Sequence, residues 1–405
     1  MTDLPILSQI ALAYSPVIDR NRTVVATRLT VYPAQPGASL EAGRLLDAIE
    51  HVWPVGSANP VWLNIADEHL LSGLLQAQPA THICIEIPAF IANEPAHQDA
   101  IQQLHANGNI LLLKDRPDTD LPRPLLACFK HAVVDIEDER RLPASNPSKP
   151  TTQDGLYRGI SFVQAGVSTV ADMEFSFQRG AMAVMGWPID DVIQGGTTRK
   201  TDQPSLQAVV QLIDQVHQEA AIEDLENTLK HDPALAYKLL RFINSPAFGL
   251  SVEISSFRHA IMVLGYQRLK RWLALLLATA SKDPNMRPVM YAAVRRGLLM
   301  EQLGKGTVND EQSGELFICG IFSLLDRMFN QPFDELFRSI PVTERVYQAL
   351  SENAGPYQPY YRMVLALEGL GMMDIREAKD ALLLSTQDVN MAVLNALKTG
   401  ASLEH

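Results

Sequence analysis

The stretch DPALAYKLLRFINS, from Asp232 to Ser245, and the stretch SSFRHAIMVLG, from Ser255 to Gly265, decide the architecture of the C-terminal half of the chain. Asp232 is a favourable N-cap, and Pro233 stands at the first helical position, where a missing N–H costs no helical hydrogen bond. In the second stretch a serine starts the helix, and Gly265 is placed to end it. The first stretch repeats apolar residues at helical spacing: Leu235, Leu239, Leu240 and Ile243. Both stretches therefore predict amphipathic helices.

The same helical period continues through the rest of this half, where almost no strand pattern occurs. Further helices are predicted at 266–281, 286–303, 313–329, 342–352, 358–370 and 376–397. We therefore predict an all-helical domain over 204–402. Residues 403–405 are interpreted as the remnant of an expression tag.

The N-terminal half has a different sequence pattern, in which short apolar runs alternate with amphipathic or polar segments. Eight such runs read as buried strands: 10–13, 24–31, 61–65, 83–87, 110–113, 132–136, 160–163 and 183–185. Eight strands with helices between them favour an α/β fold, a TIM-like (β/α)8 barrel over 1–189. The region is shorter than usual for this fold, so shortened or missing helices are expected. Residues 190–203 are rich in glycine and charge and are predicted to link the domains.

Composition narrows the function classes. The chain has 405 residues, a formal net charge of −12 and three widely separated cysteines. This charge makes nucleic acid an unlikely partner, and the cysteines are predicted to be buried structural thiols. No apolar run reaches the length of a membrane helix and no secretory signal is visible, so the protein is expected in the cytoplasm, away from the membrane.

The two stretches that open this section resemble the HDOD domain, a bacterial signalling module related to the HD metal-dependent phosphohydrolases. Active HD enzymes carry an adjacent His-Asp pair that binds a catalytic metal. The corresponding segment here, FICGIFSLLD at 317–326, has Ser323 and Leu324 in place of that pair. Serine is a poor metal ligand and leucine is none, so the resemblance implies no metal site in this half.

The N-terminal half resembles the EAL domain, a barrel that hydrolyses cyclic di-GMP with two divalent metals. The segment YSPVID at 14–19 is similar to the family opening YQPIVD, and the strand ends follow in the family's order. The resemblance places six residues at ligand or catalytic positions: Arg28, Asn64, Glu86, Lys114, Asp115 and Asp135.

Three of these six positions depart from the family pattern in charge. Arg28 replaces the signature glutamate, Lys114 replaces one of two paired aspartates, and Asp135 replaces a lysine. Asn64 and Glu86 match family ligands, whereas two further glutamates are missing, at Ala165 and Ser168. A guanidinium has no lone pair for a metal, so the resemblance implies a degenerate site without catalytic residues, metal or cofactor.

Two interpretations of the barrel mouth stay open. Either Arg28 pairs with Glu86 or Asp115 and neutralises the mouth, or Arg28 and Lys114 bind a phosphate directly. The whole chain resembles the tandem EAL-HDOD, or YuxH-like, family. We therefore predict a non-catalytic bacterial signal-transduction protein, acting through contacts with unidentified regulatory proteins in or near cyclic di-GMP signalling. The alternative is a receptor that binds cyclic di-GMP without cutting it. Exposed helical faces are compatible with a homodimer.

Overall fold

The computed structural model describes residues 5–35, 40–53, 60–77, 79–114, 121–141, 160–191, 204–231, 257–279, 283–369 and 371–403. The chain divides into two compact units, Met1–Asp191 with Ala366–Met391 and Val192–Leu365 with Ala392–His405. Residues 366–391 thus group with the barrel, whereas the division made from sequence placed them in the helical domain. Most of the expected linker at 190–203 lies outside the described residues, so that boundary stays a prediction.

Eight strands close into a barrel in chain order, as the sequence predicted. They are β1 (Ile10–Asp19), β2 (Val24–Pro33), β3 (Val61–Ile65), β4 (Ile83–Pro88), β5 (Leu111–Lys114), β6 (Phe129–Asp135), β7 (Ser161–Ala165) and β8 (Ala183–Met185). Strands β2 to β8 run parallel, but β1 is antiparallel to both of its neighbours. Only residues 20–23 connect β1 to β2, and a parallel crossover needs a dozen residues or more.

Helices follow most of the parallel strands in the barrel unit. They are α1 (Ala42–Val52), α2 (Glu68–Gln76), α3 (Ala89–Asn93), α4 (Pro95–Ala106), α5 (Arg123–Leu126), α6 (Ile136–Arg141) and α7 (Val170–Gln178). The expectation of shortened helices is confirmed, because α5 has four residues and α6 has six.

The interior of the barrel is built in layers. Side chains two residues apart on a strand face the same side, so alternate residues of each strand point into the barrel. A buried apolar cluster there includes Ala26, Trp62, Cys84, Leu112, Val133 and Val163. Two residues further along the first five of these strands stand Arg28, Asn64, Glu86, Lys114 and Asp135. Strands β2 to β6 therefore bring the five described site positions to one mouth of the barrel.

The C-terminal half is helical, as predicted. Its helices are α8 (Pro204–His217), α9 (Ile222–Lys230), α10 (Phe257–Ala278), α11 (Arg287–Gly304), α12 (Asp310–Phe322), α13 (Leu325–Phe329), α14 (Phe333–Leu336), α15 (Glu344–Ser351), α16 (Gln358–Glu368), α17 (Met372–Ala381) and α18 (Thr386–Leu403). The first stretch quoted above, 232–245, lies outside the described residues. Gly265 interrupts α10 with a φ of 65°, at the position where the sequence predicted an end.

Two helices predicted from sequence are wrong in extent. The segment 376–397 forms parts of α17 and α18, because Leu383 between them adopts the left-handed conformation with a φ of 54°. The segment 313–329 is divided between α12 and α13 at Ser323 and Leu324. Neither break carries a glycine or proline, which is why the helical period alone did not reveal it.

Close helix packing in the second unit depends on two glycines. A Cβ atom at Gly320 would lie 2.5 Å from the carbonyl oxygen of Arg296, and a Cβ at Gly297 would lie 2.6 Å from Ile321. Such distances are shorter than van der Waals contact, so α11 and α12 approach at a spacing that only glycine permits. This approach places the side chains of α11 against the end of α12.

Within the barrel unit, Asn390 joins α18 to the start of the barrel. Its Oδ1 accepts a hydrogen bond from the Leu12 backbone N–H at 3.0 Å, and its Nδ2 donates to the carbonyls of Leu7 and Ile10, both at 2.7 Å. The Asn390 side chain is buried, so these bonds satisfy three backbone groups that water does not reach.

The three cysteines are free and buried, which confirms the prediction of structural thiols. Burial raises the pKa of Cys84 to about 12, and it also raises the pKa of Cys128 and of Cys319. The thiolate is the reactive form, so all three side chains are chemically inert in the folded protein.

Candidate functional site

A bidentate ion pair between Arg28 on β2 and Glu86 on β4 lies at the centre of the barrel mouth. The Nε of Arg28 donates to one carboxylate oxygen of Glu86 at 2.7 Å, and an Nη donates to the other at 2.6 Å. The exposed fraction of the side chains is 8% for Arg28 and 0% for Glu86. Pairing with a neighbouring carboxylate is one of the two arrangements considered from sequence, and for Arg28 it is the one observed.

Electrostatics keep Arg28 charged in this buried position. Desolvation by burial lowers the pKa of the guanidinium, but the charge of Glu86 and its hydrogen bonds raise it, with smaller contributions from Tyr32 and Asp135. The net pKa lies above its ordinary value. Both carboxylate oxygens of Glu86 accept a hydrogen bond from the Arg28 guanidinium, and its positive charge opposes the approach of a metal ion to this carboxylate.

A second chain of polar contacts crosses the mouth beside this pair. The Nζ of Lys114 on β5 donates to Oδ1 of Asn64 on β3 at 3.2 Å, and Nδ2 of Asn64 donates to the hydroxyl of Thr30 at 3.3 Å. Lys114 is half-buried and Asn64 is buried. Sequence analysis missed Thr30, although its place two residues after Arg28 on β2 puts it on the same face.

Of the two remaining predicted positions, the structure describes Asp135, which takes no part in these hydrogen bonds. Asp135 ends β6, and its carboxylate accepts a hydrogen bond from the Glu137 backbone N–H at 2.8 Å. A Cβ atom at Gly166 would lie 3.1 Å from both carboxylate oxygens of Asp135, so a glycine makes room for this side chain. Asp115 lies outside the described residues.

In the second unit, Ser323 and Leu324 stand at the position that corresponds to the His-Asp pair, and an arginine contacts this position as well. Ser323 is buried at the end of α12, and its hydroxyl donates to the Gly320 carbonyl at 2.7 Å. The same hydroxyl accepts a hydrogen bond from Arg296 on α11 at 3.1 Å. Leu324 is buried and apolar. Arg296 was not predicted, although an Arg-Arg pair inside the apolar helix α11 is the signal that could have revealed it.

Asp326 is the carboxylate that follows this position. Burial raises its pKa, and hydrogen bonding and charge from Arg327, with the charge of Arg296, oppose that shift without cancelling it. One oxygen of the Asp326 carboxylate is buried and has no hydrogen-bond partner among the described residues. A single half-buried carboxylate beside a guanidinium does not make a metal site, which needs several converging ligands.

Two features are absent from the described part of the chain. Within it, no group of three or more His, Cys, Asp or Glu side chains is arranged to hold a metal ion. Within the same residues, no helix combines the length and the apolar character that crossing a membrane requires.

Residues 203–330, in the helical half that follows the eight-stranded barrel along the chain, match the HDOD domain family. The chain is 23% identical to the protein YuxH of Bacillus subtilis over 376 residues, which is 88% of this chain and 89% of YuxH.

A second relative has an assigned activity. The chain is 30% identical over 132 residues to the cyclic di-GMP phosphodiesterase CdgJ of Vibrio cholerae, which covers 33% of this chain and 31% of CdgJ. Among solved structures, the Bacillus subtilis YkuI protein with an EAL domain, in complex with cyclic di-GMP and calcium, matches with a TM-score of 0.34 and 10% identity. That match covers 65% of this chain and 76% of YkuI.

Proposed function

We propose that this chain is a non-catalytic regulatory protein of cyclic di-GMP signalling, which acts through contacts with other proteins. One observation carries the proposal: the buried, two-pronged pair of Arg28 with Glu86 at the mouth of the barrel. The relative CdgJ and the resemblance of the first half to the EAL domain support the pathway.

The physical argument concerns the metals. Phosphodiester hydrolysis of this kind uses two divalent cations that stabilise the attacking and leaving oxygens. In the proposed site a guanidinium occupies the place of one carboxylate ligand, donates a hydrogen bond to each oxygen of Glu86, and repels a cation. Lys114 adds a second positive charge at the same mouth. Without bound metals the largest electrostatic contribution to catalysis is lost.

The helical half supports the same conclusion independently. Its HD-like position holds a serine and a leucine, and the serine hydroxyl is bonded to Arg296. A cation therefore lies beside each of the two positions at which the parent enzymes bind metal. We infer that both halves serve as scaffolds, with regulatory proteins as partners.

Metal binding tests the proposal directly. In a titration of the full chain with Mn²⁺, followed by the electron paramagnetic resonance signal of the free ion, we expect no saturable uptake at micromolar concentrations. Tight uptake that disappears in the Asn64→Ala variant would locate a metal at the barrel mouth and overturn the proposal.

A second candidate function is a cyclic di-GMP receptor, and one observation favours it. The only hydrogen-bond partner of Lys114 among the described residues is the neutral amide of Asn64. Its charge is therefore not compensated by a carboxylate there, and a phosphate is a suitable counter-ion.

Isothermal titration calorimetry separates the two candidates. The full chain is titrated with cyclic di-GMP, with and without Mg²⁺. Saturable binding that is weakened in the Lys114→Gln variant supports the receptor, whereas no heat in either condition leaves protein contacts as the function. Lys130→Gln, which removes an exposed lysine of β6, is the matched control.

A further inference from the structure

The second unit contains a groove that neither the barrel nor the HD-like position involves. It lies between α8, α10, α12, α15 and residues 341–343, it is partly open to solvent, and its cavity volume is about 80 Å³. Its floor is formed by five apolar side chains: Ile213, Ala274, Ile318, Phe322 and Val346. Ser323 and Leu324 are not among its lining residues. We call this feature the α12 groove.

A glycine in the middle of α12 keeps the α12 groove open. Gly314 faces it together with Ile318 and Phe322, at helical spacing. A Cβ atom at Gly314 would meet no heavy atom within 4 Å, in contrast to Gly297 and Gly320, where helices pack closely. Glycine inside a helix costs about 1 kcal/mol relative to alanine. No close packing at Gly314 offsets the lower helix propensity of glycine. The effect of this glycine is to leave the α12 groove open.

Two polar groups of the α12 groove lack partners. The hydroxyl oxygen of Thr343 is buried and has no hydrogen-bond partner. Lys270 on α10 lines the groove half-buried, and among the described residues it forms no ion pair. A buried polar group without a partner is costly, so each of them offers a binding contribution to a ligand that supplies the partner.

The carboxylates at the α12 groove do not compensate Lys270. Glu315 accepts a hydrogen bond from the Tyr357 hydroxyl at 2.6 Å and pairs with Arg345 at 3.1 Å, so its charge is already neutralised. Glu311 lines the groove from an exposed position in the first turn of α12. The half-buried charge that remains is positive.

We propose that the α12 groove binds a small amphipathic anion. Its apolar or aromatic body covers the floor, its anionic group pairs with Lys270, and a polar atom bonds the hydroxyl of Thr343. The combination of an apolar floor with few polar groups is typical of small-molecule sites. This site is separate from the barrel mouth and is independent of the function proposed above.

The test uses 8-anilinonaphthalene-1-sulfonate, which combines an aromatic body with one sulfonate and fluoresces when bound in an apolar site. We expect saturable binding of one equivalent to the full chain. Gly314→Leu fills the α12 groove and is expected to weaken binding at least about tenfold, because the floor is covered. Lys270→Gln removes the counter-charge and is expected to weaken it about fivefold.

Gly43→Leu is the matched control. Gly43 is also a helical glycine whose Cβ would meet nothing within 4 Å, but it lies in α1 of the barrel unit. Both leucine variants are expected to melt at or above the temperature of the parent, since leucine favours helix over glycine. A Gly314→Leu variant that melts markedly lower would show that the space is filled, and would overturn the proposal.

The other outcomes are equally decisive. Fluorescence that rises without saturation, or that is unchanged in Gly314→Leu, overturns the proposed site. Binding that is lost in Gly314→Leu but unchanged in Lys270→Gln overturns the anionic ligand, and indicates an apolar occupant such as a side chain of a partner protein.

Discussion

Arg28 and Glu86 form two hydrogen bonds with each other, at 2.7 and 2.6 Å, in a buried part of the barrel. Loss of one partner leaves a buried charge without compensation, which costs about 3–5 kcal/mol. We therefore expect Glu86→Gln and Arg28→Met each to lower the free energy of unfolding strongly, as measured by urea denaturation.

The double variant Arg28→Met with Glu86→Leu tests whether the cost is electrostatic. With both charges removed, we expect the free energy of unfolding to recover by about 2 kcal/mol or more relative to either single variant. Additive losses in the double variant would contradict the account of this pair.

Ser323 holds the side chain of Arg296 at the end of α12. Ser323→Ala removes the acceptor for Arg296 and the donor to the Gly320 carbonyl, and we expect it to destabilise the protein by about 1–3 kcal/mol. Ser313→Ala, at a half-buried position of the same helix, is the comparison variant. Equal, small decreases in the free energy of unfolding of the two variants would show that the Arg296 contact does not contribute to stability.

Asn390 is expected to hold α18 on the first strand of the barrel. Asn390→Ala removes the side-chain partner of the backbone groups of Leu7, Ile10 and Leu12. The free energy of unfolding is expected to fall by about 1–3 kcal/mol for each of these groups that water does not reach. We expect faster proteolysis within residues 371–391 than in the parent protein. Asn107→Ala, at an exposed position after α4, serves as control and is expected to leave the digestion pattern unchanged.

The cysteines give a test of burial that depends on pH. Burial raises the pKa of Cys84 to about 12, so its thiolate is nearly absent at pH 8 and increases only as the pH approaches that value. Ellman's reagent at pH 8 is expected to leave Cys84, Cys128 and Cys319 unmodified in the native protein, and to modify all three after unfolding. Rapid native reaction of a cysteine would contradict its burial.

The sequence predicted the parts of the fold that depend on local pattern. β3 and β8 have the predicted bounds because each is a short apolar run between polar turns. The direction of β1 escaped prediction because it depends on the length of one connection, and the break at Leu383 because no glycine or proline marks it.

The same distinction between local pattern and tertiary contacts applies to the candidate site. The sequence predicted Glu86 or Asp115 as the partner of Arg28, but the choice of Glu86 depends on how β2, β3 and β4 align, which a single sequence does not show. The bond between Arg296 and Ser323 joins residues 27 positions apart on two helices, and it depends on the close approach at Gly320.

The most direct test of the central proposal is turnover of cyclic di-GMP by the full chain in the presence of Mg²⁺ or Mn²⁺, with products separated by anion-exchange chromatography. A known active EAL phosphodiesterase in parallel confirms the assay. We expect no linear dinucleotide above the protein-free background in either metal. Formation of that product by the parent chain, and its loss in Glu86→Gln, would show that the barrel is an enzyme and would contradict the account given above.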